Sequence, residues 1–370
     1  MPQVDGIGLL KEIKSQEPDL NVVMVSGHGN IHTAVTATKF GAFDFLEKPV
    51  SLEGLLLTVQ RALGESSNSA ARQGRAKRKT GIKRGDAAAS GAPTTLIKQK
   101  TLAKSVVLSG QGLHSGVKTG LILHPMPANS GIRFTGISGE VTVPAHLDYV
   151  GSTGYATSLR TQGFAIGTVE HLLAVLSCYG IGNLLIKVHG EVPILDGSAL
   201  EFCQAIEEAG IQQEDEDVAE IVIDRVYRVE AKGGESIVIE PAKEFSVHYE
   251  LRYPTPVGEQ QYFYHHRDGA SFRDEIAPAR TFGFLKDIAK LQTMGLANGG
   301  RLSNFILIDD QKIVNTELRF PDEFARHKIL DILGDFYLLG RPIRGAIRAR
   351  MTGHSDNIAL LRKVREGMKL

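Results

Sequence analysis

The chain has 370 residues, of which 42% are hydrophobic and 23% are charged, as is typical of a soluble globular protein with two or three domains. Its 42 basic side chains balance 42 acidic ones, so the chain has no net positive charge that would favour a nucleic-acid partner. Two cysteines, Cys178 and Cys203, exclude a disulfide framework and a thiolate-rich zinc site. We find no membrane-length apolar run and no signal peptide, and we therefore predict a cytoplasmic protein.

Residues 1–63 alternate between helical patterns and two apolar strand patterns, at residues 21–25 and 43–46. Such alternation predicts a parallel sheet with helical connections. The helices are predicted at residues 6–15, 31–40 and 51–63.

Several short motifs occur together in this first segment. They are Met1-Pro2, Asp5-Gly6, Val25-Ser26-Gly27-His28-Gly29, Gly41-Ala42-Phe43-Asp44-Phe45-Leu46 and Lys48-Pro49. The segment resembles the C-terminal part of a response-regulator receiver domain, and the resemblance implies that Ser26 and Lys48 would contact an aspartyl phosphate. In that family the phosphoacceptor aspartate lies just before the Met-Pro dipeptide, which opens this chain. We therefore expect a truncated receiver fragment that is inert in phosphoryl transfer.

Residues 64–97 contain few apolar side chains and a basic run at residues 72–79. Such a composition cannot bury a core, so it predicts a basic, disordered linker. A solvated linker is the favoured interpretation, and contact of the basic run with phospholipid headgroups or nucleic acid is the alternative. We expect no nucleic-acid partner.

A similar succession of strand and helix patterns occurs twice, in residues 98–218 and in residues 219–370. Strands are predicted at residues 105–110, 119–123, 183–188, 220–223, 235–239, 245–252, 305–308 and 344–349, and helices at residues 168–177, 199–209 and from about residue 324. The predicted fold class is α+β, with two similar α+β subdomains that follow a partial α/β receiver-like fragment. A site built from both subdomains would lie in the cleft between them.

The helix predicted from about residue 324 carries three polar side chains one turn apart, His327, Asp331 and Asp335. A spacing of four residues places them along one helical face. A neutral imidazole and a carboxylate in this arrangement can hold a divalent cation, and a further carboxylate can support a neighbouring histidine. The solvated edge of an amphipathic helix explains the same pattern, and this motif alone does not separate the two interpretations.

Three other stretches carry groups that need an explanation. Glu170 and His171 lie on an apolar helix, where a buried carboxylate is costly unless it is paired or near a metal. An acidic residue in a first helical turn is the simpler interpretation. His354 precedes a helical pattern, although histidine is not a favoured cap. Phe282 and Phe284 could line a ligand surface or belong to the core.

Six motifs then occur in a fixed order. They are Gly112-Leu113-His114-Ser115-Gly116, Thr168-Val169-Glu170-His171-Leu172-Leu173-Ala174, Ile194-Leu195-Asp196-Gly197-Ser198-Ala199, Ala279-Arg280-Thr281-Phe282-Gly283-Phe284, Arg326-His327-Lys328-Ile329-Leu330-Asp331, and Gly353-His354 with Asn357. Over about residues 98–367 they resemble the UDP-3-O-acyl-N-acetylglucosamine deacetylase family (LpxC). The resemblance implies zinc-dependent hydrolysis of the N-acetyl group of UDP-3-O-acyl-N-acetylglucosamine, with water as co-substrate and acetate as product. This is the committed step of lipid A biosynthesis in Gram-negative bacteria.

The resemblance also implies a metal site. It makes His171, His327 and Asp331 the ligands of Zn²⁺, with Fe²⁺ as the alternative metal. Three nitrogen and oxygen ligands leave one position open, as in catalytic zinc sites. Glu170 would act as the general base, and Lys328 would face the nucleotide phosphates.

Further roles follow from the same resemblance. His354 would protonate the departing amine, Asp335 would favour the charged form of His354, and Thr281 would stabilise the oxyanion. An insert at about residues 281–302 would form a hydrophobic passage for the acyl chain. Its candidate residues are Phe282, Phe284, Leu285, Ile288, Leu291, Leu296 and Gly299.

Two other functions stay open at this point. The first is a signalling protein in which residues 1–63 regulate the rest of the chain, and the missing phosphoacceptor argues against it. The second is a catalytically inactive protein that binds a sugar nucleotide. The complete set of metal-binding and acid–base residues argues against that interpretation.

Overall fold

A computed structural model describes residues 6–26, 36–37, 40–47, 59, 62, 95–137 and 141–370. These residues fall into two compact units, one within Met1–Ala92 and the other within Pro93–Leu370. Outside the described residues lie Met1-Pro2, Lys48, nearly all of the predicted linker, and most of the helices predicted at residues 31–40 and 51–63. In the part of the chain that the structure describes, no helix has the length and apolar character needed to cross a membrane.

The smaller unit contains a helix, α1 (Gly6–Gln16), and two strands, β1 (Val23–Ser26) and β2 (Asp44–Glu47), among its described residues. The two strands pair in parallel, with Val23 opposite Asp44. Parallel neighbours need a crossover connection, as the alternating pattern of the sequence indicates. The predicted parallel pairing is confirmed.

The first half of the larger unit contains a mixed β-sheet and helices. Its elements are β3 (Leu96–Leu102), β4 (Val106–Gln111), β5 (Lys118–Pro125), β6 (Ile132–Thr135), β7 (Thr142–Pro144), β8 (Leu159–Thr161), β9 (Phe164–Ile166), α2 (Glu170–Tyr179), β10 (Leu184–Val188) and α3 (Leu200–Ala209). The sheet has the strand order β4-β5-β10-β6-β7, with β10 antiparallel to β5 and parallel to β6. Alternate residues of β5 and β10 are buried, so one face of the sheet carries the core.

The second half of the larger unit repeats this arrangement. Its elements are β11 (Ile211–Ala219), β12 (Ile221–Val222), β13 (Tyr227–Glu230), β14 (Ser236–Glu240), β15 (Ser246–Arg252), β16 (Glu259–His265), α4 (Gly269–Glu275), β17 (Phe282–Phe284), α5 (Leu285–Thr293), β18 (Ile306–Ile308), α6 (Glu323–Phe336), β19 (Ile343–Arg344), β20 (Ala346–Arg350) and α7 (His354–Met368). Its main sheet has the order β13-β14-β20-β15-β16, with β20 antiparallel to β14 and parallel to β15. If the five strands of each sheet are numbered along the chain, their spatial order across the sheet is first, second, fifth, third, fourth in both. The predicted α+β class is confirmed.

Strand β3 begins at Leu96, before the predicted start of the first subdomain at residue 98. Leu96 pairs with Ala219 and Leu102 pairs with Ile211, so β3 and β11 form an antiparallel ribbon. Strand β11 was not predicted from the sequence. Its acidic and amide side chains are mostly exposed, and the strand therefore lacks the apolar alternation that marks a half-buried strand.

Helices α2 and α6 pack against each other, one from each half of the larger unit. Every residue of α2 except Ser177 is buried, and so is every residue of α6 except Arg326 and Lys328. Their charged and polar side chains are therefore largely removed from water. Because an unpaired buried charge is costly, these side chains must be paired or must bind a ligand.

Candidate active site

A cavity of about 600 Å³ is lined by residues from both halves of the larger unit. Helix α2 contributes Glu170 and His171, and α6 contributes His327, Lys328 and Asp331. The lining also includes Leu113, His114, Tyr155, Thr281, Phe282, Phe284, Leu291 and His354. The cavity thus joins polar side chains from the start of α2 and the middle of α6 to a partly aromatic wall.

Three of these side chains form a buried cluster. The Nε2 atoms of His171 and His327 lie 3.8 and 3.6 Å from Oδ1 of Asp331, and the two imidazole rings meet edge to face with centroids 5.0 Å apart. One ligand atom from each residue lies within 4.8 Å of the others. A tetrahedral ion with bonds of about 2.0–2.1 Å holds its ligand atoms roughly 3.4 Å apart, so the donor set suits zinc once the three ligand atoms draw closer together.

The orientation of His327 suits a metal ligand. Its Nδ1 donates to the carbonyl oxygen of Ala279 at 3.1 Å. Since a carbonyl can only accept, this bond fixes the tautomer and leaves the Nε2 lone pair directed toward Asp331. Burial lowers the pKa of His327, and burial together with His327 lowers the pKa of His171 to about 3. Both imidazoles are therefore uncharged at neutral pH, and each can offer a nitrogen lone pair to a metal ion.

Lys328 pairs with the outer oxygen of Asp331. Its Nζ donates to Oδ2 at 2.7 Å, which leaves Oδ1 facing the two imidazoles. Burial alone would raise the pKa of Asp331, but Lys328 and His327 outweigh it and lower that pKa. The pKa of Lys328 is raised because Asp331 and Tyr249 outweigh burial. The cluster therefore contains an ionised carboxylate with one oxygen available for a cation.

Glu170 is a buried carboxylate at the start of α2, beside the cluster. Its Oε2 accepts from the backbone N–H of Thr157 at 3.1 Å, and its Oε1 lies 3.8 Å from Nε2 of His354. Burial raises the pKa of Glu170 to about 7, with Asp331 adding to the shift and His354 opposing it. A carboxylate with such a pKa can accept and release a proton near neutral pH.

His354 is the first residue of α7 and is held by Asp335 of α6. Its Nδ1 donates to Oδ2 of Asp335 at 2.8 Å, and the amide of Asn357 donates to the same oxygen at 2.8 Å. Burial opposes a charge on the imidazole, but Asp335 and Asp331 outweigh burial and raise the pKa of His354 to about 9. His354 is therefore charged at neutral pH and presents Nε2 toward Glu170.

Thr281 precedes β17 at the edge of the cavity. Its backbone N–H donates to Gly197, and its carbonyl accepts from Ile306, each at 2.8 Å. Next to it, Phe282 and Phe284 meet edge to face with ring centroids 6.4 Å apart. All three residues line the cavity, as does Leu291 of α5.

Other residues predicted for the acyl passage do not line this cavity. Among the described residues of the insert, Leu285, Ile288, Leu296 and Gly299 are absent from its lining. Ile288 is buried in the protein. Gly299 lies against the backbone of Gly112, so close that a Cβ on residue 299 would stand 1.9 Å from the Gly112 carbonyl oxygen. Their role in binding an acyl chain stays a prediction.

Two residues of the polar network, Thr157 and Asn357, were not predicted as site residues from the sequence. Thr157 bonds to Glu170 and Asp335, and Asn357, noted only as part of a motif, donates to Asp335. Thr157 lies in an irregular segment without any periodic pattern, and no signal in the sequence marks it. Asn357 lies three residues after His354 on α7, so helical spacing could have suggested it.

Comparison with known proteins accounts for both segments of the chain. Residues 99–366 match the family described as UDP-3-O-acyl N-acetylglycosamine deacetylase, and residues 1–60 match the response regulator receiver domain. The UDP-3-O-acyl-N-acetylglucosamine deacetylase of Myxococcus xanthus is 44% identical over 270 residues, which cover 72% of this chain and 86% of that protein. The protein of the same name from Neisseria meningitidis serogroup C is 41% identical over 276 residues, covering 72% and 89%.

Among solved structures, the receiver domain of NtrX from Brucella abortus is 56% identical over 17% of this chain and 53% of that one, with a TM-score of 0.17. The chain thus spans about half of that receiver domain. The deacetylase match covers most of the chain, and the deacetylase relatives align over most of their own length. The chain therefore belongs to the UDP-3-O-acyl-N-acetylglucosamine deacetylase family and carries a receiver-like fragment before its deacetylase segment.

Proposed function

We propose that this chain hydrolyses the N-acetyl group of UDP-3-O-acyl-N-acetylglucosamine in a zinc-dependent reaction that releases acetate. The observation that carries the proposal is the convergence of five buried side chains at one cavity. The His171, His327 and Asp331 cluster suits a divalent metal, and Glu170 and His354 suit proton transfer beside it. The names of the relatives supply the substrate.

Zinc held by His171, His327 and Asp331 would lower the pKa of a bound water and polarise the acetyl carbonyl, and Fe²⁺ is the alternative metal. Glu170 takes a proton from the attacking water, because its raised pKa of about 7 makes it an effective base near neutral pH. His354 is charged before this step, and it becomes neutral when it gives its Nε2 proton to the amine nitrogen as the carbon–nitrogen bond breaks. Water and the amide thus yield acetate and a free amine.

Three further features support action on this substrate. Lys328 lines the cavity and uses one N–H on Asp331, which leaves two donors for a phosphate oxygen. Thr281 lines the same cavity, where its hydroxyl can donate to the developing oxyanion. Phe282, Phe284 and Leu291 offer an apolar surface for the acyl chain, and each buried CH₂ contributes about 0.8 kcal/mol.

We further propose that the reaction serves lipid A biosynthesis and takes place in the cytoplasm of a Gram-negative cell. The support is the substrate named for the relatives and a cysteine content too low for a disulfide framework. Contact with the membrane would be at most peripheral.

The test is a deacetylation assay on the purified full chain with UDP-3-O-acyl-N-acetylglucosamine. Activity should disappear after metal removal and return with Zn²⁺, and a parallel arm with Fe²⁺ compares the two metals. Glu170→Gln should bind zinc and melt like the wild type while losing most of its kcat. The proposal fails if the metal-free protein or Glu170→Gln releases acetate as fast as the untreated wild type.

A further inference from the structure

Thr157 lies in the irregular segment before β8 and is fully buried, with 0% of its surface exposed. All three of its polar groups bond to α2, to the residue before α2, or to α6. Its backbone N–H donates to Oε2 of Glu170 at 3.1 Å, and its carbonyl accepts from the N–H of Val169 at 3.2 Å. Its hydroxyl donates to Oδ1 of Asp335 at 2.6 Å.

The position of Thr157 links the two halves of the larger unit. Glu170 begins α2 in the first half, whereas Asp335 lies near the end of α6 in the second half. Asp335 in turn holds His354 through its other oxygen. A single side chain and its own peptide group thus contact the carboxylate that would act as base and the carboxylate that orients the acid.

The hydroxyl of Thr157 must be the donor in its bond to Asp335. An ionised carboxylate can only accept, and Oδ2 of Asp335 already accepts from His354 and Asn357. Thr157 is the partner of Oδ1, the second oxygen, in a carboxylate that is 0% exposed. Without that donor, Oδ1 would be buried with no hydrogen bond from another described residue, and a buried unsatisfied oxygen costs more than an ordinary hydrogen bond contributes.

We propose that Thr157 is a positioning residue that fixes Glu170 of the first half and the His354–Asp335 pair of the second half relative to each other. This inference rests on the proposed function, in which Glu170 and His354 transfer protons. Thr157 is not among the described residues that line the cavity, so it acts through its neighbours and does not touch the substrate. Its loss should therefore change kcat and leave KM nearly unaltered.

Two substitutions distinguish the effect of the Thr157 hydroxyl from the effect of its methyl group. Thr157→Val keeps the shape and removes the donor, whereas Thr157→Ser keeps the donor and removes a methyl group. Loss of a partner that orients a metal-binding side chain typically costs 10–100-fold in activity, and by analogy we expect Thr157→Val to lower kcat by about 10–100-fold with a nearly constant KM. Thr157→Ser should keep most of the wild-type kcat.

Thr101→Val is the matched control for loss of a buried threonine hydroxyl. Thr101 lies in β3, is buried, and donates from Oγ1 to the Asn183 carbonyl at 2.6 Å. This variant should lower the melting temperature without lowering kcat. The inference is overturned if Thr157→Val keeps the wild-type kcat, or if Thr157→Ser loses as much kcat as Thr157→Val.

A second readout does not depend on activity. In protein with ¹⁵N-labelled histidine, the Nδ1–H of His354 should give a downfield proton signal that disappears in His354→Ala. Thr157→Ser should retain this signal at its wild-type position, and Thr157→Val should shift or broaden it. An unchanged signal in Thr157→Val overturns the inference. Should the wild type fail to release acetate, the proposed function fails, and the signal of His354 still decides whether Thr157 orients the pair.

Discussion

A Cβ atom on Gly334 would stand 2.0 Å from the carbonyl oxygen of Glu170, a separation that real Cβ contacts do not show. Helix α6 therefore approaches the start of α2 this closely only because residue 334 has no side chain. The contact lies between the cluster residues, since His171 follows Glu170 and Asp331 precedes Gly334 by less than one turn. The close approach of the two helices is part of what brings the cluster residues from both halves together.

Gly334→Ala should destabilise the protein and weaken metal binding. Helix propensity alone would favour alanine by about 1 kcal/mol. Overpacking of a close contact typically costs about 1–3 kcal/mol, and here the Cβ would meet backbone that cannot move aside cheaply. Urea unfolding and zinc titration measure the two effects.

Gly182→Ala is the matched control for Gly334→Ala, because a Cβ on Gly182 would meet no atom within 4 Å. This variant should keep the zinc affinity of the wild type. A Gly334→Ala protein that unfolds at the wild-type urea concentration or higher would contradict the close-packing explanation.

Local periodicity predicted part of the site. The four-residue spacing of His327, Asp331 and Asp335 placed them on one helical face, and α6 carries all three as buried side chains. Periodicity is a property of neighbouring residues, so it could not show that His171 and His354 lie beside this face. That expectation came from the motifs that the chain shares with a known family.

Long-range packing explains what the sequence could not predict. Thr157 contacts Glu170 and Asp335, which lie 13 and 178 positions away in the sequence. The resemblance grouped Ile288 and Leu291 as candidates for the acyl passage, but the placement of α5 in the unit decides that Ile288 is buried while Leu291 lines the cavity. Whether a side chain is buried or lines a cavity depends on contacts between elements, and a local sequence pattern does not contain those contacts.

The pH dependence of kcat/KM should be bell-shaped, with its alkaline limb set by His354. His354 must be charged to donate a proton, and its pKa of about 9 means that activity falls as the pH rises through this value. Glu170 must be ionised to accept a proton, and its pKa of about 7 sets the acid limb. Activity should therefore be highest between these two values.

Asp335→Asn should move the alkaline limb to lower pH. The substitution removes the negative charge that stabilises the imidazolium, while burial continues to disfavour it, so the pKa of His354 falls. The acid limb should move less, because burial is the main cause of the raised pKa of Glu170. An alkaline limb at the wild-type pH in Asp335→Asn would contradict the assignment of that limb to His354.

Zinc should stabilise the folded protein by binding the His171, His327 and Asp331 cluster. Free zinc at 1,000 times its Kd would add about 4 kcal/mol to the free energy of unfolding. Melting temperatures of metal-free protein with and without Zn²⁺ measure this effect. His171→Ala should lose most of the zinc-induced rise, and His124→Ala, which removes a β5 histidine outside the cavity lining, should keep it. An equal rise in both variants would argue against the cluster as the binding site.

A chain that begins at residue 93 should keep the kcat and KM of the full chain. Every described residue that lines the cavity lies within Pro93–Leu370, which forms a compact unit of its own. Acetate release by the two proteins at equal zinc loading measures the difference. A large loss of kcat in the shorter chain would revive the hypothesis that the receiver-like segment regulates the deacetylase.

The buried pair of Arg280 and Glu323 should contribute strongly to stability. Nε and Nη2 of Arg280 donate to the two carboxylate oxygens of Glu323 at 2.8 and 3.1 Å, and the side chains are 10% and 0% exposed. The backbone N–H of Arg280 donates to the same carboxylate at 3.0 Å. The pair therefore fixes the segment that presents the Ala279 carbonyl to His327 and carries Thr281 to the cavity.

Glu323→Gln should lower the free energy of unfolding by about 3–5 kcal/mol, because it leaves the Arg280 guanidinium buried without a counter-charge. Glu230→Gln is the control for loss of an exposed partner. Glu230 pairs with Arg228 at 2.9 Å, but the two side chains are 59% and 61% exposed, so the cost should stay below about 1 kcal/mol. Urea unfolding of both variants measures the difference. Equal losses in the two variants would show that burial of Arg280 and Glu323 adds nothing to their interaction.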